Sequence, residues 1–176
     1  MKIRPLLILG LVVAAIIALF GIYLVYFADP LVSDRHLVEG FERDRDSLEK
    51  IKGIFNKSPE VTHVCCLSEC RNYTLESKKE STQELCTLLE SVDSTWADRM
   101  FTDEGAIIFI SMDSRYLGAS EDGGGVSAEK GYAYCMTEPT PIRDSLDWWW
   151  SPRNEAFRKL TDNWYVAYRV SESKPE

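Results

Sequence analysis

Apolar and polar positions divide the chain into one long uncharged run and a series of short periodic segments. The run covers residues 5–28, 24 positions without Asp, Glu, Lys or Arg. It is built from Leu, Ile, Val and Ala, with Gly10 and Gly21 as interior breakers. A hydrocarbon core of about 30 Å needs roughly 20 helical residues, so the run has the length of a spanning helix. Tyr23, Tyr26 and Phe27 gather at its far end, where amphipathic rings favour the interface, and Asp29-Pro30 follows. Lys2 and Arg4 precede the run, whereas Asp29, Asp34 and Glu39 follow it. Basic flanks stay on the cytoplasmic side, which predicts an N-terminus inside and the remainder outside. A cleaved signal peptide has a shorter apolar core and small residues at its cut site; a cut after Ala28 would place bulky Tyr26 two positions upstream. The expectation is therefore an uncleaved signal anchor. No Cys stands near the end of the run, so a bacterial lipoprotein is disfavoured.

Beyond the run, periodicity changes to that of a folded domain. Leu37, Phe41, Leu48, Ile51 and Phe55 recur at helical spacing over 34–56. Ser33 or Asp34 is placed to cap this helix and Pro59 prevents its continuation. It reads either as a stalk or as a helix packed on the domain core. Residues 61–67 read as a strand, with a turn near Ser68-Glu69 and a second strand around 71–76. Leu85, Leu88, Leu89, Val92 and Trp96 mark one face of a helix over 81–97, with capping-box patterns at Ser77/Glu80 and Ser81/Glu84. The run 106–110, Ala-Ile-Ile-Phe-Ile, suits a strand buried on both faces. Residues 130–137 and 164–170 alternate, as strands with one face inward do. The polar stretch 113–128 reads as a surface loop.

The predicted fold class is α+β: an N-terminal transmembrane helix followed by a mainly antiparallel sheet packed with two helices. The predicted organisation is a cytoplasmic tail 1–4, a transmembrane anchor 5–28, a juxtamembrane amphipathic helix 29–58, an extracytoplasmic domain 59–170 and a polar tail 171–176.

Charge narrows the partners. All 28 acidic residues lie beyond residue 28, with 18 of the 20 basic ones, a net charge of −10 for that part. Nucleic acid, whose phosphates need a basic footprint, is excluded as a partner. Five cysteines, Cys65, Cys66, Cys70, Cys86 and Cys135, all follow the apolar run, which suits an oxidising compartment. Two disulfides and one leftover thiol are expected: Cys70 with Cys86, and Cys135 with Cys65 or Cys66. Redox chemistry favours Cys-x-x-Cys, which is absent, and zinc favours two spaced ligand pairs, which His63, Cys65, Cys66 and Cys70 do not provide. No metal or other cofactor is expected.

Candidate chemistry is sparse. Glu121-Asp122-Gly123-Gly124-Gly125 lacks the Lys-Ser/Thr ending of a phosphate loop, and Asp113, Glu121 and Asp122 lack the alternation of a calcium loop. Asn72-Tyr73-Thr74 is a glycosylation sequon, meaningful only in a eukaryotic secretory pathway. His63 lies in the 61–67 strand, and Asp113 with Glu138 is a conceivable carboxylate pair; no nucleophile elbow or zinc-protease motif accompanies them. Trp148, Trp149 and Trp150, in the proline-containing stretch 138–162, cannot all point inward from one short segment. They are the candidate contact residues, with a cap over an open sheet face as the competing reading. The expected function is a membrane-anchored extracytoplasmic module that binds a protein or envelope component, in a bacterial inner membrane facing the periplasm. The alternative is a membrane-surface hydrolase using His63 or a carboxylate pair.

Overall fold

The computed structural model describes residues 13–18, 31–66, 79–102, 105–119, 125–147 and 155–172. The chain divides into two units, Met1–Pro30 and Leu31–Glu176. In the first, residues 13–18 are helical, with Val13, Ile16 and Ile17 exposed. Among the described residues no helix is long and apolar enough to cross a membrane. This corrects the predicted fold class: the described architecture is a six-stranded antiparallel sheet with helices, not a transmembrane helix followed by a sheet.

The second unit begins with helix α1, Asp34–Lys57. Ser33 caps it, its hydroxyl accepting from the His36 amide at 3.2 Å, and Asp34 places a negative charge in the first turn, where the helix dipole favours one. Leu37, Phe41, Leu48, Ile51 and Phe55 form the buried stripe that the spacing predicts. The helix therefore packs on the core of the domain and is not a free stalk. Helix α2 covers Lys79–Ser91. It stops well short of Ala97 because Asp93 adopts a left-handed φ of 57°, and the Ser94 amide turns back to the Leu89 carbonyl. Trp96, in step with the helical stripe, instead opens a strand.

The strands are β1 His63–Cys65, β2 Trp96–Thr102, β3 Gly105–Ala119, β4 Gly125–Cys135, β5 Ala156–Lys159 and β6 Trp164–Glu172. Their order is β1-β2-β3-β4-β6-β5 and every neighbouring pair is antiparallel. Most of the polar stretch 113–128 is strand: β3 and β4 continue as a long hairpin to the Ala119–Gly125 pair. Bulges between Ser111 and Asp113 and between Tyr116 and Gly118 break the alternation there, hiding the period from sequence reading. Beside the first bulge, Gly131 is required. A Cβ at that position would lie 2.0 Å from the Ile110 carbonyl oxygen.

Helices α1 and α2 cover one face of the sheet, the helix face. There Ala97, Ile108, Ile110, Tyr132, Trp164, Val166 and Tyr168 meet the α1 and α2 stripes in one cluster. The opposite face carries a smaller cluster of Ile107, Phe109, Ala133, Cys135, Phe157, Tyr165 and Ala167. At one sheet edge, Pro141–Arg143 exchanges backbone hydrogen bonds with Phe157 and shields β5.

The cysteines do not pair as expected. Cys86 on α2 is bonded to Cys66, with a Cα–Cα distance of 5.4 Å. Cys66 follows β1 on the side that packs against the helix-face core, so its sulfur turns toward α2. Cys65 is disulfide-bonded as well, and Cys70 lies outside the described residues. Cys135 is a free, buried thiol. Three strand spacings separate β4 from β1, about 14 Å, beyond the Cα–Cα reach of a disulfide. Burial pushes the Cys135 thiol up to about 12, so it is an unreactive core residue.

Candidate functional site

Two places on the sheet concentrate chemistry. The first is a row of charges on the face opposite the helices. His63 on β1 sits directly across from Asp98 on β2, and Glu129 on β4 directly across from Arg169 on β6. The strand period brings all four side chains to one face. His63 Nδ1 lies 2.5 Å from Asp98 Oδ1, and Arg169 donates to Asp98 Oδ2 at 2.6 Å and to Glu129 Oε2 at 2.5 Å. Ser171 donates its hydroxyl to the remaining Glu129 oxygen at 2.7 Å. The Arg169 guanidinium also lies 4.3 Å from the Phe109 ring centre and 4.9 Å from that of Trp96. Arg169 and Glu129 are buried, whereas the His63 side chain is 40% exposed.

The hydrogen bond to Asp98 raises the His63 pKa above its ordinary 6.5, against burial and the nearby Arg169 charge. Burial alone would raise the Asp98 carboxyl, but the bonds from His63 and Arg169 outweigh it and hold the group low. A raised histidine stabilises the fold below pH 6.5, and that contribution disappears as pH rises through the folded-state value. His63→Gln should therefore lower Tm more at pH 5.5 than at pH 8.5, measured by thermal unfolding. Equal losses at both pH values would contradict the charged pair. Chemically, the pair supplies the imidazole–carboxylate half of an acid–base site.

The second place lies on the helix face, where the sheet extends past the end of α1. Arg99 and Phe101 of β2, Ala106 and Ile108 of β3, Tyr134 of β4, Met136 and Asn56 line a cavity of about 180 Å³. Phe101 is 70% exposed and Met136 64%. Arg99 is 9% exposed; its guanidinium donates to the Phe55 carbonyl at the end of α1 and lies 5.7 Å from the Phe55 ring centre. Burial lowers its pKa, with Glu60 the acid whose charge acts against that. Among the described residues no carboxylate forms a hydrogen bond with this guanidinium.

Trp148, Trp149 and Trp150 lie outside the described residues, as do Asn72–Thr74, Glu121 and Asp122. The loop leading to the tryptophans is firmly held: Leu146 is buried, its amide donates to Asp34 Oδ2 at 2.7 Å, and Asp147 Oδ1 accepts from the Asp34 amide at 2.5 Å. Asp113 and Glu138 do not form a pair. Asp113 accepts from the Val32 amide and Glu138 faces Lys159 at 3.4 Å. Asp113 lies opposite Lys130 near the hairpin's distal half, whereas Glu138 follows Cys135, opposite Ile107; the six residues of β3 between them span about 20 Å.

Sequence reading found His63 but missed Asp98, because residues 96–102 were not read as a strand, and it gave Arg169 and Glu129 no role because each acquires its partners only when the strands pair. It also missed the Phe101–Met136 groove. The signal was present as Met-Phe in an otherwise polar stretch, but an isolated apolar pair has no period. Compared with known proteins, the chain matches no family model, no curated protein and no solved structure.

Proposed function

We propose that this chain is a membrane-associated protein whose acidic, disulfide-bonded domain works outside the cytoplasm by binding another protein. The oxidised Cys65, Cys66 and Cys86 support a compartment outside the cytoplasm. The uncharged stretch 5–28, flanked by Lys2 and Arg4 before it and acidic residues after it, supports attachment to a membrane with the domain on the far side.

The observation that carries the binding reading is the groove. Phe101, Ala106 and Met136 line one apolar groove, and Phe101 and Met136 are among the most exposed large apolar side chains of the domain. Such a groove is the surface from which association gains most. It lies at the Asn56 end of α1, about 33 Å along the helix from Asp34. Replacing both Phe101 and Met136 with Ser leaves the core intact because both side chains are solvent-facing. Crosslinking and capture of the full-length protein from its native membrane should recover its partner at least about tenfold less efficiently with this variant. Recovery equal to that of the unaltered protein would contradict the reading.

A further inference from the structure

We infer that the groove takes the C-terminus of a peptide chain ending in an apolar residue, with its terminal carboxylate on Arg99. This rests on the reading of the groove as a contact surface and adds the chemistry of its occupant. Three observations carry it.

The first is charge. A guanidinium presents five N–H donors and Arg99 uses one side of its fork on the Phe55 carbonyl. It is nine-tenths buried, lines the cavity, and among the described residues holds no carboxylate by a hydrogen bond. By contrast, Arg169, also buried, is bonded to two carboxylates. A buried arginine with spare donors beside a cavity is a carboxylate site, and planar bidentate recognition is what the fork provides.

The second is size. The remaining walls, Phe101, Ile108, Tyr134 and Met136, line an open groove of about 180 Å³. That has room for one leucine- or phenylalanine-sized side chain.

The third is the strand edge. The Arg99 amide donates to the Thr62 carbonyl just before β1 begins. Antiparallel strands turn alternate amides to the same side, so the Phe101 amide faces that edge too. Among the described residues no strand pairs with β2 at Phe101 on that side. An extended peptide can add its backbone there, as in recognition by strand addition. A carboxylate, one apolar side chain and a backbone edge together describe a peptide terminus.

The test uses the full chain in lipid nanodiscs and a short water-soluble peptide ending in leucine, as the free acid and as the C-terminal amide. Binding is read by fluorescence anisotropy and by the shift of the Met136 methyl resonance, assigned with Met136→Leu. The acid should bind at least about tenfold more tightly than the amide, and it should move the Met136 signal. Arg99→Lys, which keeps the charge but loses the fork, should reduce the acid-over-amide ratio. Met136→Asp, at an exposed position that folding tolerates, should abolish binding of the acid. Equal binding of acid and amide overturns the carboxylate assignment, and so does failure of the acid to shift Met136. The groove reading itself fails separately, if the Phe101/Met136 double variant still captures its partner from the native membrane.

Discussion

Lys130→Met should destabilise the domain by about 3–5 kcal/mol, the cost of removing one partner from a buried ion pair. Lys130 and Asp34 are buried side chains, 2% and 1% exposed, with Nζ 2.7 Å from Oδ1. Lys130 stands on β4 and Asp34 at the first turn of α1, so the pair fastens the helix to the sheet. Asp147 receives Lys130 at 3.2 Å, and Arg158 on β5 reaches the other Asp34 oxygen at 3.0 Å. Burial would raise the Asp34 carboxyl, but the bonds from Lys130, Leu146 and Arg158 keep it below its ordinary value. Methionine fills the volume of the lysine stem but leaves the carboxylate short of its closest cation. Chemical denaturation of the full chain measures the loss. The double variant Lys130→Met with Asp34→Leu should recover much of it, since an apolar pair of similar volume carries no stranded charge. A loss below about 1 kcal/mol for the single variant would mean that the network does not hold α1 in place.

Arg169→Met should have an effect of similar size, about 3–5 kcal/mol at neutral pH, with a distinctive pH dependence. The change leaves Glu129, itself buried, with only the Ser171 hydroxyl, and removes the second partner of Asp98. It also takes the guanidinium from between Trp96 and Phe109. A buried carboxylate without a cation protonates at higher pH than an exposed one. The penalty of the variant is therefore full above that raised value and relieved as pH falls through it. Unfolding free energies at pH 7.5 and pH 4.5 should show the deficit shrinking toward acid. This is opposite in direction to His63→Gln, whose deficit grows toward acid because the imidazole is stabilised in its charged form. A deficit for Arg169→Met that is the same at both pH values would contradict the charge account and leave packing alone.

These contrasts show which parts of the fold were legible from local pattern. Helix α1 was readable because Leu37, Phe41, Leu48, Ile51 and Phe55 keep one period along most of its 24 residues and Ser33 marks its start. The Ile107–Ile110 segment was readable because both faces of a central strand need apolar side chains. Strand β2 was not, because its helix face holds Arg99 and its other face Asp98, each given a hydrogen-bond partner only by residues distant in sequence. The distal β3–β4 hairpin was hidden by its bulges, and β5 by its length of four residues. The disulfide partner of Cys86 depended on which side of β1 each vicinal cysteine takes, and nearest spacing in the chain favoured Cys70 wrongly. Of the candidate sites, only His63 was visible. Its partners come from three strands that no local period connects, and the groove arises where a helix ends over a sheet that continues.

The binding surface is tested most directly by a photo-crosslinker in the groove. A benzophenone side chain replacing Met136 in the full-length protein, irradiated in its native membrane, is compared with one replacing Tyr116. Tyr116 is also exposed, at 65%, but lies in the distal half of the β3–β4 hairpin. The account predicts a discrete crosslinked product from position 136, absent from position 116 and competed by a leucine-terminated peptide acid. Products of the same size and yield from both positions, or from position 116 alone, would contradict it.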